Sequence, residues 1–195
     1  KWVKASTDAL FANVFRPSIH IIGNAEEADP EIMVPEEDCI ELITGWDPGG
    51  VNPAACIAEK VVVPDEALNH QSQSQAQQPR QKKDVSVFKF IDELSFIDSN
   101  LSISEFTELF LEKMAFWEAL IGRPIIWRHW SDSSAFDQRE AISKRYIYEE
   151  IFAASRGMIK LEAVDKRPGS VGRGVRLWRK MLYQRRLLFS AAKTP

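Results

Sequence analysis

The chain has 195 residues, 45% of them hydrophobic and 27% charged, with a formal net charge of -3. That is the range of one ordinary globular domain with a sizeable core. No run of about 18 apolar residues occurs, so no transmembrane helix is expected, and no basic-then-apolar leader is visible. Cys39 and Cys56 are too few for a disulfide scaffold and lack zinc-ligand spacing, and the three histidines, His20, His70 and His129, disfavour a histidine-based zinc enzyme. The first residue is Lys1 rather than a methionine, so a fragment or processed chain is expected.

In chain order, Lys4 to Phe15 reads as a short helix ended by Arg16 and Pro17, followed by an apolar stretch from Ile19 to Ile22. Then come Glu26, Glu27, Asp29, Glu31, Glu36, Glu37, Asp38 and Glu41 with no Lys or Arg among them. The Pro-containing segment 25–38 therefore reads as a linker or surface loop, and residues 1–38 as a lead into a domain filling 39–195. Residues 39–46 and 54–63 read as strands, separated by the breaker Asp47-Pro-Gly-Gly. Residues 66–84 hold the Gln-rich run 69–84, which cannot offset its ordering entropy by burial and reads as a flexible loop containing His70.

A third strand is expected over 85–94. A helix starts at Ser102, where Glu105 completes a capping box. Ile103, Phe106, Leu109, Phe110, Met114, Trp117, Leu120 and Ile121 keep helical spacing until Gly122 and Pro124 end it, and this stripe reads as core. Residues 125–130 read as a strand, 137–155 as a helix, 158–164 as a strand, 169–174 as a turn, 175–186 as a basic helix and 187–190 as a short strand. Three consecutive strands suggest an antiparallel meander, and the later alternation suggests parallel additions by crossover. The expected fold class is α/β: an RNase H-like mixed sheet flanked by helices, without internal repeats.

In that topology the fourth strand lies beside the first and parallel to it, so Asp47 and Asp132, each just past a strand end, emerge at one sheet edge. Two converging carboxylates repel each other and call for a cation; hard oxygen ligands favour Mg²⁺ or Mn²⁺. Two such ions can activate water and stabilise the leaving oxygen in phosphodiester cleavage. The alternative is structural: Asp-Pro-Gly-Gly is a good turn, and Asp132 followed by two serines is a good helix cap.

The residues also resemble a family. Residues 45–55 (GWDPGGVNPAA), 90–94 (FIDEL), 130–135 (WSDSSA) and 166–171 (KRPGSV), with the basic helix and 187–190 (LLFS) after them, resemble in order the nuclease domain of viral large terminase subunits, the DNA-packaging motors of tailed phages. The resemblance runs from about residue 40 to the end. It implies an RNase H-like endonuclease that cuts concatemeric double-stranded DNA with two divalent ions, Mg²⁺ or Mn²⁺, held by Asp47 and Asp132. It also implies a role for Asp92 or Glu93; neighbours on a strand face opposite ways, so one at most faces the site, and Glu93 is favoured as an auxiliary ligand. Asp137 is better explained by the helix dipole. The family completes its cluster with an Asp in a C-terminal helix. No such motif occurs before Pro195, so that acid is expected beyond it, in a truncated domain. Implied partners are double-stranded DNA, a packaging ATPase domain in the same full-length chain, the portal and the small terminase subunit, with no membrane; the implied place is the host cytoplasm during virus assembly.

No Gly-x-x-x-x-Gly-Lys-[Ser/Thr] loop is present, and the Gly169–Gly174 spacing fits no common phosphate loop. From Lys166 to Pro195 there are only basic charges, and Lys166, Arg167, Arg173, Arg176 and Arg179 are candidates for DNA phosphate contacts; a solvated helix face is the plain alternative. His129 reads as a packed or edge histidine, and Trp127 and Trp130 as packing between sheet and helices, with base stacking as the other reading for both. The rival functions are another RNase H-like nuclease of resolvase or integrase type, and a docking or DNA-clamp module whose acids hold no metal.

Overall fold

The computed structural model describes residues 20–22, 40–49, 52–64, 84–97, 99, 101–141, 143–164 and 169–190. The expected helix over 4–15, the acidic segment 25–38 and the Gln-rich run up to Lys83 lie outside these residues, as do Lys166 and Arg167. The strands are β1 (Ile21–Ile22), β2 (Ile40–Asp47), β3 (Ala54–Pro64), β4 (Asp84–Ser95), β5 (Ile125–Ser131), β6 (Leu161–Ala163) and β7 (Leu187–Ser190). The helices are α1 (Ile103–Ile121), α2 (Ser134–Asp137), α3 (Ile147–Ala154) and α4 (Ser170–Tyr183).

One mixed sheet runs β1-β7-β4-β3-β2-β5-β6, with six strands and the two-residue β1 at its edge. The meander β2-β3-β4 is antiparallel, as expected, and β5 lies beside β2 in parallel. The pairs β5–β6, β4–β7 and β1–β7 are also parallel, so β3 alone runs against the rest. The C-terminal ends of the other strands therefore share one edge.

Alternation in β2 buries Ile40, Leu42, Thr44 and Trp46 against α1 and turns Glu41, Ile43, Gly45 and Asp47 to the opposite face. Trp46 meets Phe106 and Phe110 of α1 at 5.6 and 4.4 Å between ring centroids. The α1 N-terminus is fixed by the expected capping box: Ser102 Oγ accepts from Glu105 N–H, and Ser102 N–H donates to Glu105. Its C-terminus closes on Gly122 at φ +64, a conformation glycine adopts without strain. The buried stripe is Ile103, Phe106, Thr107, Phe110, Met114, Trp117 and Ile121; Leu109 is half-buried and Leu120 exposed. On the other side of the sheet α4 packs Met181 and Leu182 against Leu187, Phe88, Phe90 and Phe189.

Three expected boundaries are corrected. The helix over 137–155 is instead α2 and α3, joined by a loop in which Arg139 bridges Tyr146. Lys144 takes φ +60, which a continuous helix does not allow, and the Arg139 guanidinium sits 4.6 Å from the Tyr146 ring centroid. The strand over 158–164 is only Leu161–Ala163. The turn over 169–174 is the start of α4: Gly169 alone is left-handed, at φ +79, and the helix begins at Ser170.

Candidate active site

A bulge decides which acid faces which side. Ile57 of β3 pairs with Asp92, but Ala58 pairs with Phe90, so β4 carries Ile91 as an extra residue. Ile91 and Asp92 then both turn toward α1: Ile91 joins the main core, and Asp92 accepts from Lys113 Nζ at 2.8 Å and from the Trp117 indole at 3.0 Å. Glu93 and Phe90 face the other way. The alternative left open between the two acids is thereby resolved in geometry: Glu93 is exposed on the free face, and Asp92 is a buried structural ion-pair partner.

On that free face lies an open cleft of about 360 Å³, lined by Asp47, Glu93 and Asp132 together with Gly45, Trp130, Cys56 and neighbouring residues. It sits where Trp46 of β2 pairs with Ser131 of β5, and Asp47 and Asp132 follow those two residues. Ser131 Oγ donates to the Trp46 carbonyl at 3.1 Å, tying the two strand ends together directly behind the aspartates. One row back, Trp130, Gly45, Cys56 and Glu93 stand opposite one another across β5, β2, β3 and β4. Gly45 keeps the floor open, because a Cβ there would lie 3.2 Å from Cys56 Sγ. Burial pushes the Cys56 thiol above its ordinary pKa, so it is a poor nucleophile.

Asp47 is exposed and Asp132 half-buried. Asp132 Oδ1 accepts from Ser134 N–H at 2.7 Å and from Ser134 Oγ, a turn one residue before the α2 N-cap Ser133 rather than the helix cap that was the structural alternative. The charged side chains that line the cleft are the three carboxylates, with no Lys, Arg or His among the lining residues. Oxygen-only donors of this kind suit Mg²⁺ or Mn²⁺. Among the described residues no three His, Cys, Asp or Glu side chains are grouped closely enough to hold a metal between them. The structure thus offers Asp47 and Asp132 as an open two-carboxylate platform with Glu93 on the far wall, and not a closed cage.

The other candidates fall elsewhere. Asp137 ends α2, is exposed and does not line the cleft. Arg173, Arg176 and Arg179 are exposed on α4, outside the cleft lining. His129 is buried on the α1 side, with Nδ1 2.8 Å from Thr44 Oγ1, which also accepts from the Trp46 indole. Burial lowers its pKa to about 4, so the ring is neutral. Trp127 packs as expected, stacked on His129 and donating to Glu118 of α1. Trp130 does not: it faces the cleft, the opposite way from Trp127. Gly45 is a cleft residue that sequence reasoning missed, and Trp130 one for which it preferred packing over base stacking. Their signal was spacing: Gly45 stands two residues before Asp47 on β2 and so on the same face, and Trp130 two residues before Asp132, which follows the end of β5.

No protein-family model matches this chain, and neither do any of the curated proteins or solved structures compared with it.

Proposed function

We propose that the chain is the metal-dependent endonuclease domain of a viral DNA-packaging terminase, with an RNase H-like fold, which cleaves concatemeric double-stranded DNA. The observation that carries this reading is that Asp47, Asp132 and Glu93 line one cleft whose described lining holds no Lys, Arg or His. The strand order β4-β3-β2-β5-β6 with β3 alone reversed supports the fold assignment, and the ordered motifs support the family. In this reading Asp47 and Asp132 hold the divalent ions, and Glu93 orients water from the opposite wall. The ions, when bound, supply Lewis-acid stabilisation of the leaving oxygen and a water of lowered pKa. Arg176 and Arg179 on α4, which have no carboxylate partner among the described residues, contact DNA phosphates, so binding weakens steeply with salt.

The test is cleavage of supercoiled plasmid by the full-length chain with Mn²⁺ or Mg²⁺. Asp47→Ala and Asp132→Ala are each expected to lower the rate by at least about a hundredfold, the several kcal/mol that metal-ion stabilisation provides. Cleavage that survives both substitutions would refute the site. A second reading is favoured by the engagement of Asp132 with Ser134 and by the lack of a three-ligand group: a DNA-clamp or docking module whose acids hold no metal. Titration with Mn²⁺ separates the two, because the clamp reading expects no heat of binding that Asp47→Ala abolishes.

A further inference from the structure

The cleft has an aromatic wall that the acid chemistry does not use. Among the described tryptophans, the indole N–H of Trp46 reaches Thr44, that of Trp117 reaches Asp92 and that of Trp127 reaches Glu118. The rings of Trp46, Trp117, Trp127 and Trp178 each also lie against another aromatic ring. Trp130 has neither an acceptor for its N–H nor a ring neighbour among the described residues, and it is half-buried in the wall of the cleft. Trp130 thus differs from the other described tryptophans in keeping its ring and N–H open to the cleft and available to a ligand. Its strand neighbour across the ladder is Gly45, which has no side chain to cover the ring.

Trp130 also stands at a useful distance from the acids. Its register partner Gly45 stands two residues before Asp47 on β2 and on the same face, a separation of about 6.6 Å along the strand, and Asp132 follows the last residue of β5. That is comparable to the reach from a phosphate to the base of the same nucleotide. A planar base laid on the indole would therefore place its own backbone at the aspartates. Further along, Phe90 shares the free face with Glu93 and packs on Trp178 of α4, so the basic exposed residues Arg176 and Arg179 lie on the same side of the sheet.

We propose that Trp130 is a base-stacking residue and that the cleft accepts an unpaired nucleotide, from a frayed, gapped or single-stranded region. A base inside a continuous duplex has both faces covered by its neighbours, so it can stack on Trp130 only after leaving the helix. This rests on the reading of the cleft as a nucleic-acid site; a phosphate beside the ionised aspartates needs a cation there, but stacking on Trp130 does not need cleavage.

The test measures binding apart from chemistry. Anisotropy of a labelled short oligothymidylate is followed with the full chain in an Asp47→Asn, Asp132→Asn background, which removes both negative charges from the cleft. Adding Trp130→Ala is expected to weaken binding by about tenfold, the scale of one base–aromatic stack, while Trp130→Phe keeps most of it. The blunt duplex of the same length is expected to bind more weakly than the single strand and to be insensitive to Trp130. Thermal melting checks that each variant is folded. Equal affinity of Trp130→Ala and its parent, or equal sensitivity of duplex and single strand to Trp130, overturns the proposal. Trp130-dependent binding in a protein that never cleaves supports it while refuting the nuclease reading. Metal-dependent cleavage with no Trp130-dependent binding does the reverse.

Discussion

The two faces of the central sheet obey different rules. On the α1 face Asp92 is enclosed by Lys113 and the Trp117 indole, and Thr44 joins the Trp46 indole to His129. On the opposite face, one residue along in the same strand, Glu93 opens into a cleft that also holds Asp47, Asp132 and an unpartnered Trp130. Adjacent residues of the same type thus have opposite roles, because the pleat assigns them to opposite environments. Identical chemistry stabilises the fold where it is paired and buried, and is available for ligands where it is open.

The largest expected contrast is between Asp92 and Glu93. Asp92→Ala strands the Lys113 ammonium, whose side chain is 17% exposed, and leaves the Trp117 N–H without its acceptor. A loss of about 3–5 kcal/mol is expected in urea unfolding. Glu93→Gln is expected to change stability by less than about 0.5 kcal/mol while lowering any cleavage rate. Equal destabilisation by the two substitutions would remove the distinction between the faces.

His129 gives the next effect. Its folded pKa, about 4, lies below its ordinary value of 6.5 because burial disfavours the imidazolium. The unfolded chain therefore takes up this proton first. The stability tied to the neutral ring is complete above about pH 6.5 and is lost as pH falls toward 4. Between pH 6.5 and 5 the loss is expected to be about 2 kcal/mol. The pH slope of urea unfolding is expected to flatten in this window in His129→Gln, and an unchanged slope would rule out His129 as its source.

The smallest effect belongs to the cleft face. Burial acts to raise the Glu41 pKa, but hydrogen bonds from Lys60 and Arg128 outweigh it and hold the carboxyl lower. The Arg128 side chain is half exposed. A double-mutant cycle on Glu41 and Arg128 is therefore expected to give less than about 1 kcal/mol, shrinking in high salt. A coupling as large as the loss in Asp92→Ala would mean that this face is not open.

Much of this architecture could be read from local pattern. The Asp47-Pro-Gly-Gly breaker marked the end of β2, the capping box and Gly122 marked the two ends of α1, and the β-β-β-α-β order implied that β5 returns beside β2. From that adjacency alone Asp47 and Asp132 fell at one edge. The stretch 137–155 was misread because charged residues at helical spacing do not show whether any face will be buried. The run 169–174 was misread because three glycines suggest a turn, whereas packing of Met181 and Leu182 on the sheet pulls the chain into helix from Ser170.

The sequence by itself determined the meander β2-β3-β4, the place of β5 beside β2, the limits of α1 and the meeting of two aspartates, since each follows from neighbours a few residues apart or from the rule of crossover connection, whereas the places of β1 and β7 came from tertiary structure. Tertiary structure alone decided the facing of Asp92 and Glu93 and the open surroundings of Trp130. A bulge at Ile91 shifts the parity of β4, and the emptiness around Trp130 depends on Gly45 and Cys56, which come from two other strands. Facing depends on register between segments distant in the chain, and no local pattern encodes it.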